Sequence, residues 1–171
     1  MKKKIIVLAS ITITLAYLIA LYSMYGFMSS ISRYAKELIK DRHEWMLITW
    51  LVSVFVTTTY ISIKQKKKHA TFLFLSGFFL LLILFFTGYY PGYESHYIEN
   101  IIHVTSVYVA IPCAFTYMVL DGKLNDRLRL VIGLLILFFS FTILALKIPI
   151  AYHTSGIEVV ALAVIYTYLL K

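Results

Sequence analysis

The sequence predicts an all-α integral membrane bundle of six transmembrane helices. Both termini are expected in the cytoplasm, with a short amphipathic segment outside between the first two spans. Three observations carry this expectation. The 171 residues are 61% hydrophobic and only 14% charged, whereas soluble domains are about half apolar and about a quarter charged. Mean hydropathy is +0.84. The charges also fall in clusters, separated by uncharged runs of the roughly 20 residues that a bilayer crossing needs. Such a chain is not disordered, collagen-like or a nucleic-acid-binding domain, despite its net charge of +8. Its one cysteine, Cys113, excludes an intramolecular disulfide and any cysteine-based zinc or iron–sulfur site within one chain.

The first span covers about 5–25. Lys2, Lys3 and Lys4 resemble a signal-peptide n-region, but the apolar run that follows exceeds the roughly 7–15 residues of a signal core. An uncleaved anchor is therefore expected. Residues 27–44 come next. Ile31, Tyr34, Ala35 and Leu38 follow helical spacing, and Trp45 extends that stripe. Arg33, Lys36, Glu37, Lys40, Asp41 and Glu44 fill the other face, and Ser29 or Ser30 can cap the start. This predicts a short helix on the outer membrane surface, acting as a lid or collar.

The second span covers 45–63 and the third 70–90. Between them Lys64, Lys66, Lys67, Lys68 and His69 form a basic loop, a topology signal facing anionic headgroups rather than a nucleic-acid patch. A tyrosine-rich turn around Pro91 and Gly92 leads into the fourth span, 101–120, which can begin early with Ser95 as cap. Within it Ala110 and Ala114 flank Pro112, a small-residue spacing that permits close helix packing. The fifth span, 130–146, is the shortest. The sixth, 151–170, contains one charge, Glu158.

With the N-terminus inside, eleven basic residues face Asp121 and Asp126 on the inner side. Five basic residues face six acidic ones outside. The basic excess inside is the arrangement that orients membrane proteins, and it makes the cell (cytoplasmic) membrane the expected location.

Ionisable side chains within a bilayer are costly and mark candidate sites. His103 lies in the first turn of the fourth span, Glu158 about two turns into the sixth, and His153 just before it. If the fourth span begins early, His96, Glu99 and His103 lie on one helix face. Four of the five histidines, His43, His96, His103 and His153, fall on the outer side. The leading expectation is an outward-facing polar pocket that binds a small ligand or lipid headgroup, with His103, Glu158 and His153 at its core and His96 and Glu99 at its rim.

Other readings of these residues remain open. His96, His103, His153 and Glu158 have the ligand chemistry of a metal site. A histidine oriented by a carboxylate suits a membrane-embedded hydrolase or transferase acting on lipid at the outer leaflet. A bis-histidine haem would require His103 and His153 to face each other. The plainest reading is structural: Glu158 pairs with His103, or caps the sixth helix where the helix dipole favours a carboxylate. The chain can also be a structural subunit that binds a second copy or a membrane partner. No HExxH, GxSxG or P-loop motif is present, so neither a catalytic class nor a cofactor is assigned. No nucleic-acid partner is expected.

With Tyr90-Pro91 closing the third span, His103 opening the fourth, and Gly156 with Glu158 near the start of the sixth, the chain resembles the small six-span Frag/DRAM-like family and its prokaryotic relatives. The resemblance covers the whole chain in topology and these positions in sequence. It implies an integral membrane protein without an established enzymatic activity.

Overall fold

The computed structural model describes residues 2–26, 31–86, 97–128, 131–133 and 155–170. Side chains are described within these except at 31–33, 36, 83–86, 97–104, 107–108 and 155–158. Among the described residues six helices have defined bounds: α1 Lys2–Tyr25, α2 Ile31–Lys40, α3 Glu44–Gln65, α4 Ala70–Phe86, α5 Tyr97–Leu120 and α6 Ser155–Leu170. No strand occurs among the described residues. Helices α1, α3, α4, α5 and α6 lie where the first four spans and the last were expected, and α5 does begin early. Of the expected fifth span only 131–133 is described. Among the described residues two helices, α1 and α3, are long and apolar enough to cross a membrane. Shorter apolar helical runs cover Ala70–Leu82, Val109–Leu120 and Val159–Leu170.

Chain punctuation explains the helix ends. Gly26 at φ +66 closes α1, with its N–H on the Tyr22 carbonyl at 2.9 Å. A left-handed residue just past a helix is the usual stop, and glycine adopts it without steric cost. After α2 the same conformation falls to Arg42, at φ 60. The Arg42 N–H returns to Ile39 and the His43 N–H to Leu38, a Schellman motif closed without glycine. Lys66, at φ 52, caps α3.

Helices α1 and α4 run opposite to α3, α5 and α6, so five ends meet at one end of the bundle: the start of α1, the end of α3, the start of α4, and the ends of α5 and α6. One core lies there, built on Val7, Ile61, Leu73, Phe115, Tyr117, Met118 and Leu169. A second core, of Tyr17, Leu21, Leu38, Leu47, Trp50 and Leu51, lies between α1, α2 and α3 toward the opposite end.

Between these cores the interior is unusually polar. Ser10, Thr14, Thr57, Thr58, Ser76 and Ser106 are all buried, while Leu8, Leu15, Ile19, Val52, Val56, Phe78 and Val160 are exposed. Water would favour the reverse. The hydroxyls let backbones approach. A methyl group added to Gly77 of α4 would collide with Thr58 Oγ1. The Thr58 hydroxyl is already held on the Val54 and Phe55 carbonyls of α3 at 3.0 Å. On α5, Ser106, Ala110 and Ala114 form a buried stripe of small residues, as the spacing around Pro112 predicted.

Helix α2 is amphipathic as expected, but its apolar face turns to protein. Tyr34, Ala35 and Leu38 are buried in the core shared with α1 and α3. The Tyr34 hydroxyl donates to the Gly26 carbonyl at 2.7 Å, and Tyr25 donates to Asp41 at 2.9 Å. Trp45 corrects the expected stripe. It begins α3 rather than extending α2, and is 62% exposed, which suits an interfacial aromatic. The expected caps Ser29 and Ser30 lie outside the described residues.

Candidate functional site

Two polar arrangements are candidates, one described in the structure and one expected from the sequence. The first surrounds Asp121, whose side chain is only 1% exposed. It lies where α5 ends, its N–H bonded to the Tyr117 carbonyl, and the helix dipole opposes a carboxylate at that position. Its oxygens are held instead by four groups. Oδ2 accepts from the Tyr168 hydroxyl at 2.8 Å and faces Lys123 Nζ at 3.2 Å. Oδ1 faces Lys67 Nζ at 3.4 Å and His69 Nε2 at 3.3 Å. A carboxylate only accepts, so His69 Nε2 carries a proton in this contact.

Asp121 therefore joins the α3–α4 loop to the ends of α5 and α6. Burial alone would raise its pKa. The hydrogen bonds from Tyr168, His69 and Lys123, with the Lys123 charge, more than cancel that and hold it below the usual carboxylate range. Aromatic contacts pack around it: Tyr117 meets Tyr168 edge-on at 6.0 Å, and Lys123 lies 5.8 Å from the Tyr168 ring centre. Gln65 Nε2 donates to the Tyr117 hydroxyl at 2.6 Å. Sequence reasoning counted Asp121 only as an inner charge. The signal available was sidedness, since the Lys67–His69 and Asp121–Lys123 loops were both assigned to the inner side.

A polar seam runs from this end into the bundle. The Thr14 hydroxyl donates to the Ser10 carbonyl at 2.8 Å, so its oxygen is left to accept from Trp50 Nε1 at 3.1 Å and from the Tyr166 hydroxyl at 2.9 Å. Tyr166 then accepts from Ser10 Oγ at 2.8 Å. Every proton in the chain is used. One turn further along α1, Tyr17 stacks on Trp50 at 4.7 Å, and its buried hydroxyl has no partner.

The second arrangement is the expected outer pocket. His96 and His153 lie outside the described residues, as do the side chains of Glu99, His103 and Glu158. Helical register still places three of these positions. His103 and Glu99 fall in line with Ser106, Ala110 and Ala114, the buried stripe of α5. Glu158 falls in line with Ala161, Ile165 and Leu169, and Ala161 and Leu169 are buried. These two helices pack on each other. At 1.5 Å per residue, His103 lies about 21 Å along α5 from Tyr117, and Glu158 about 15 Å along α6 from Tyr168. Taking the Tyr117–Tyr168 contact as the common level, the two positions are offset by about one helical turn.

Among the residues with described side chains, no group of three or more His, Cys, Asp or Glu can hold a metal. The metal candidates His96, His103, His153 and Glu158 all lie outside that set. No protein-family profile, curated protein or solved structure matches the chain. The resemblance to the Frag/DRAM-like family thus stands on Tyr90-Pro91, His103, Gly156 and Glu158 alone.

Proposed function

We propose that the chain is a six-span protein of the cell membrane, both ends cytoplasmic, that binds a small ligand or lipid headgroup in a polar pocket at the end of the bundle away from Asp121. His103, Glu158 and His153 form its core, with His96 and Glu99 at the rim. The membrane part of this reading is supported by the inverted distribution of polarity, with hydroxyls inside and aliphatic side chains outside. The pocket is supported chiefly by register: the positions of His103 and Glu158 both fall on the inward stripes of two helices that pack together. An ionisable residue on an inward stripe faces a bundle interior or cavity, which is where membrane proteins keep such groups for function. The offset of about one turn leaves room for an acceptor or donor between them.

A cysteine pair tests the geometry directly. His103→Cys with Glu158→Cys, in a Cys113→Ala background, is treated with a short bismaleimide in membranes. Efficient intramolecular crosslinking is expected. If the pair fails to crosslink while Ala114→Cys with Ala161→Cys succeeds, the two positions do not share a pocket and the reading is lost. Metal analysis of the purified protein separates a ligand pocket from a metal-dependent enzyme.

A further inference from the structure

Within the polar seam of α1, α3 and α6, the Tyr17 hydroxyl alone among the described residues has no partner. Tyr17 is 3% exposed, and its ring is held in place. It stacks on Trp50 with the planes 10° apart, and Trp50 is itself pinned by its bond to Thr14. The cluster around the pair is otherwise apolar, with Val54, Leu80, Leu81 and Leu162. A phenol buried in this way bears the desolvation cost of its O–H with no bond in return. Phenylalanine would fill the same place without that cost. Register places an ionisable residue nearby. The Tyr166 hydroxyl lies between Ser10 and Thr14. Tyr166, Leu162 and Glu158 are spaced by four residues on α6 and so share one stripe. Two of these three meet α1, Tyr166 through its bonds and Leu162 in the cluster of Tyr17. From the Tyr166 level, at 1.5 Å per residue, position 158 lies about 12 Å farther along the bundle and Tyr17 about 8 Å. Less than one helical turn separates them.

We infer that Tyr17 is the floor of the His103/Glu158 pocket and that the ligand presents a hydroxyl group there. A hydroxyl accepts and donates at once. Its oxygen accepts from the Tyr17 O–H, and its own hydrogen is donated to the Glu158 carboxylate. An anionic headgroup only accepts, and it meets Glu158 as a like charge. An ammonium only donates and leaves Tyr17 unmet. The inference rests on the pocket reading and narrows its ligand from small molecules and headgroups in general to an alcohol. An acylglycerol and free glycerol present the same chemistry.

The test uses the full chain in phosphatidylcholine nanodiscs with added monooleoylglycerol, retained ligand being read by native mass spectrometry. The tryptophans are Trp45 and Trp50, so in a Trp45→Phe chain the emission reports the stacking partner of Tyr17 alone. Monooleoylglycerol is expected to bind and to change Trp50 emission. Tyr17→Phe should weaken binding about two- to tenfold, the loss of one hydrogen bond. Methyl oleate, which has no hydroxyl, should not distinguish the two chains. Displacement by free glycerol shows that the hydroxyl group suffices; retention against it identifies a lipid alcohol. Without ligand, Tyr17→Phe should leave the unfolding midpoint unchanged or raise it, since no bond is lost. A lower midpoint means that the hydroxyl already has a partner, a buried water included, and overturns the inference. No retention, equal affinity for wild type and Tyr17→Phe, or an unchanged Trp50 emission overturns it as well. The His103/Glu158 crosslink separates the two readings. If it forms while Tyr17→Phe binds like wild type, only the role of Tyr17 falls; if it fails, the pocket and the Glu158 contact fall together.

Discussion

Asp121 is the residue on which most elements converge, and its chemistry sets a pH dependence. Its folded-state pKa lies below the usual carboxylate range. The stability it contributes is therefore complete above that range and is lost as pH falls through the folded value. Asp121→Asn is expected to lower stability by about 1.5–3 kcal/mol at neutral pH, the scale of hydrogen bonds to charged groups. In thermal unfolding across pH, the gap between wild type and variant should close in acid. A gap that persists or widens there would show that the carboxylate charge is not what matters. Gly77 is the second such position. Gly77→Ala must displace Thr58 from its backbone carbonyls, at a cost of about 1–3 kcal/mol, and Thr58→Ala in the same chain, which removes the colliding hydroxyl, should recover part of that loss. The small-residue stripe of α5 was legible from spacing alone, because packing along one helix is a local pattern. The Asp121 cluster was not, because its partners lie in three separate chain segments and only folding sets their distances.

Among the elements, α2 shows how far periodicity reaches. The spacing of Tyr34, Ala35 and Leu38 predicts a helix with one apolar face, and that face exists. Periodicity carries no information on what the face touches. It covers the tips of α1 and α3, tied by Tyr34 to Gly26 and by Tyr25 to Asp41. Leu38 is wholly buried, so Leu38→Ala should cost about 2–5 kcal/mol, seen as a lower unfolding midpoint with membrane insertion unchanged. A helix resting on lipid would show little effect. The pairing of α1 with α6 depends on a different chemistry. Tyr166→Phe removes the donor to Thr14 and the acceptor of Ser10. The expected loss is about 0.6–1.7 kcal/mol, the range for hydrogen bonds between membrane helices. Double-mutant cycles with Thr14→Val should show coupling of the same order.

For the whole molecule, the proposed topology assigns the meeting place of five helix ends to the cytoplasm. Reporter fusions after Lys68 and after Lys123 should read cytoplasmic, and a fusion after Asp41 should read external. A cytoplasmic reading at Asp41 would invert the bundle and move the Asp121 cluster to the outside. The structure brings together the two loops that charge counting had placed on one side, and the Lys67, His69 and Asp121 contacts follow from that.

Sequence alone determined the helical class, the approximate places of five of the helices and the amphipathic character of α2. Each depends on composition or on periodicity within one segment, and such short-range physics survives without a fold. Tertiary structure decided that α2 faces protein, that Trp45 leaves its stripe, that the hydroxyls of Ser10, Thr14 and Tyr166 close on one another, and that Lys67, His69, Lys123 and Tyr168 converge on one carboxylate. Those outcomes depend on distances between residues far apart in the chain. Helix packing fixes such distances, and no local pattern contains them.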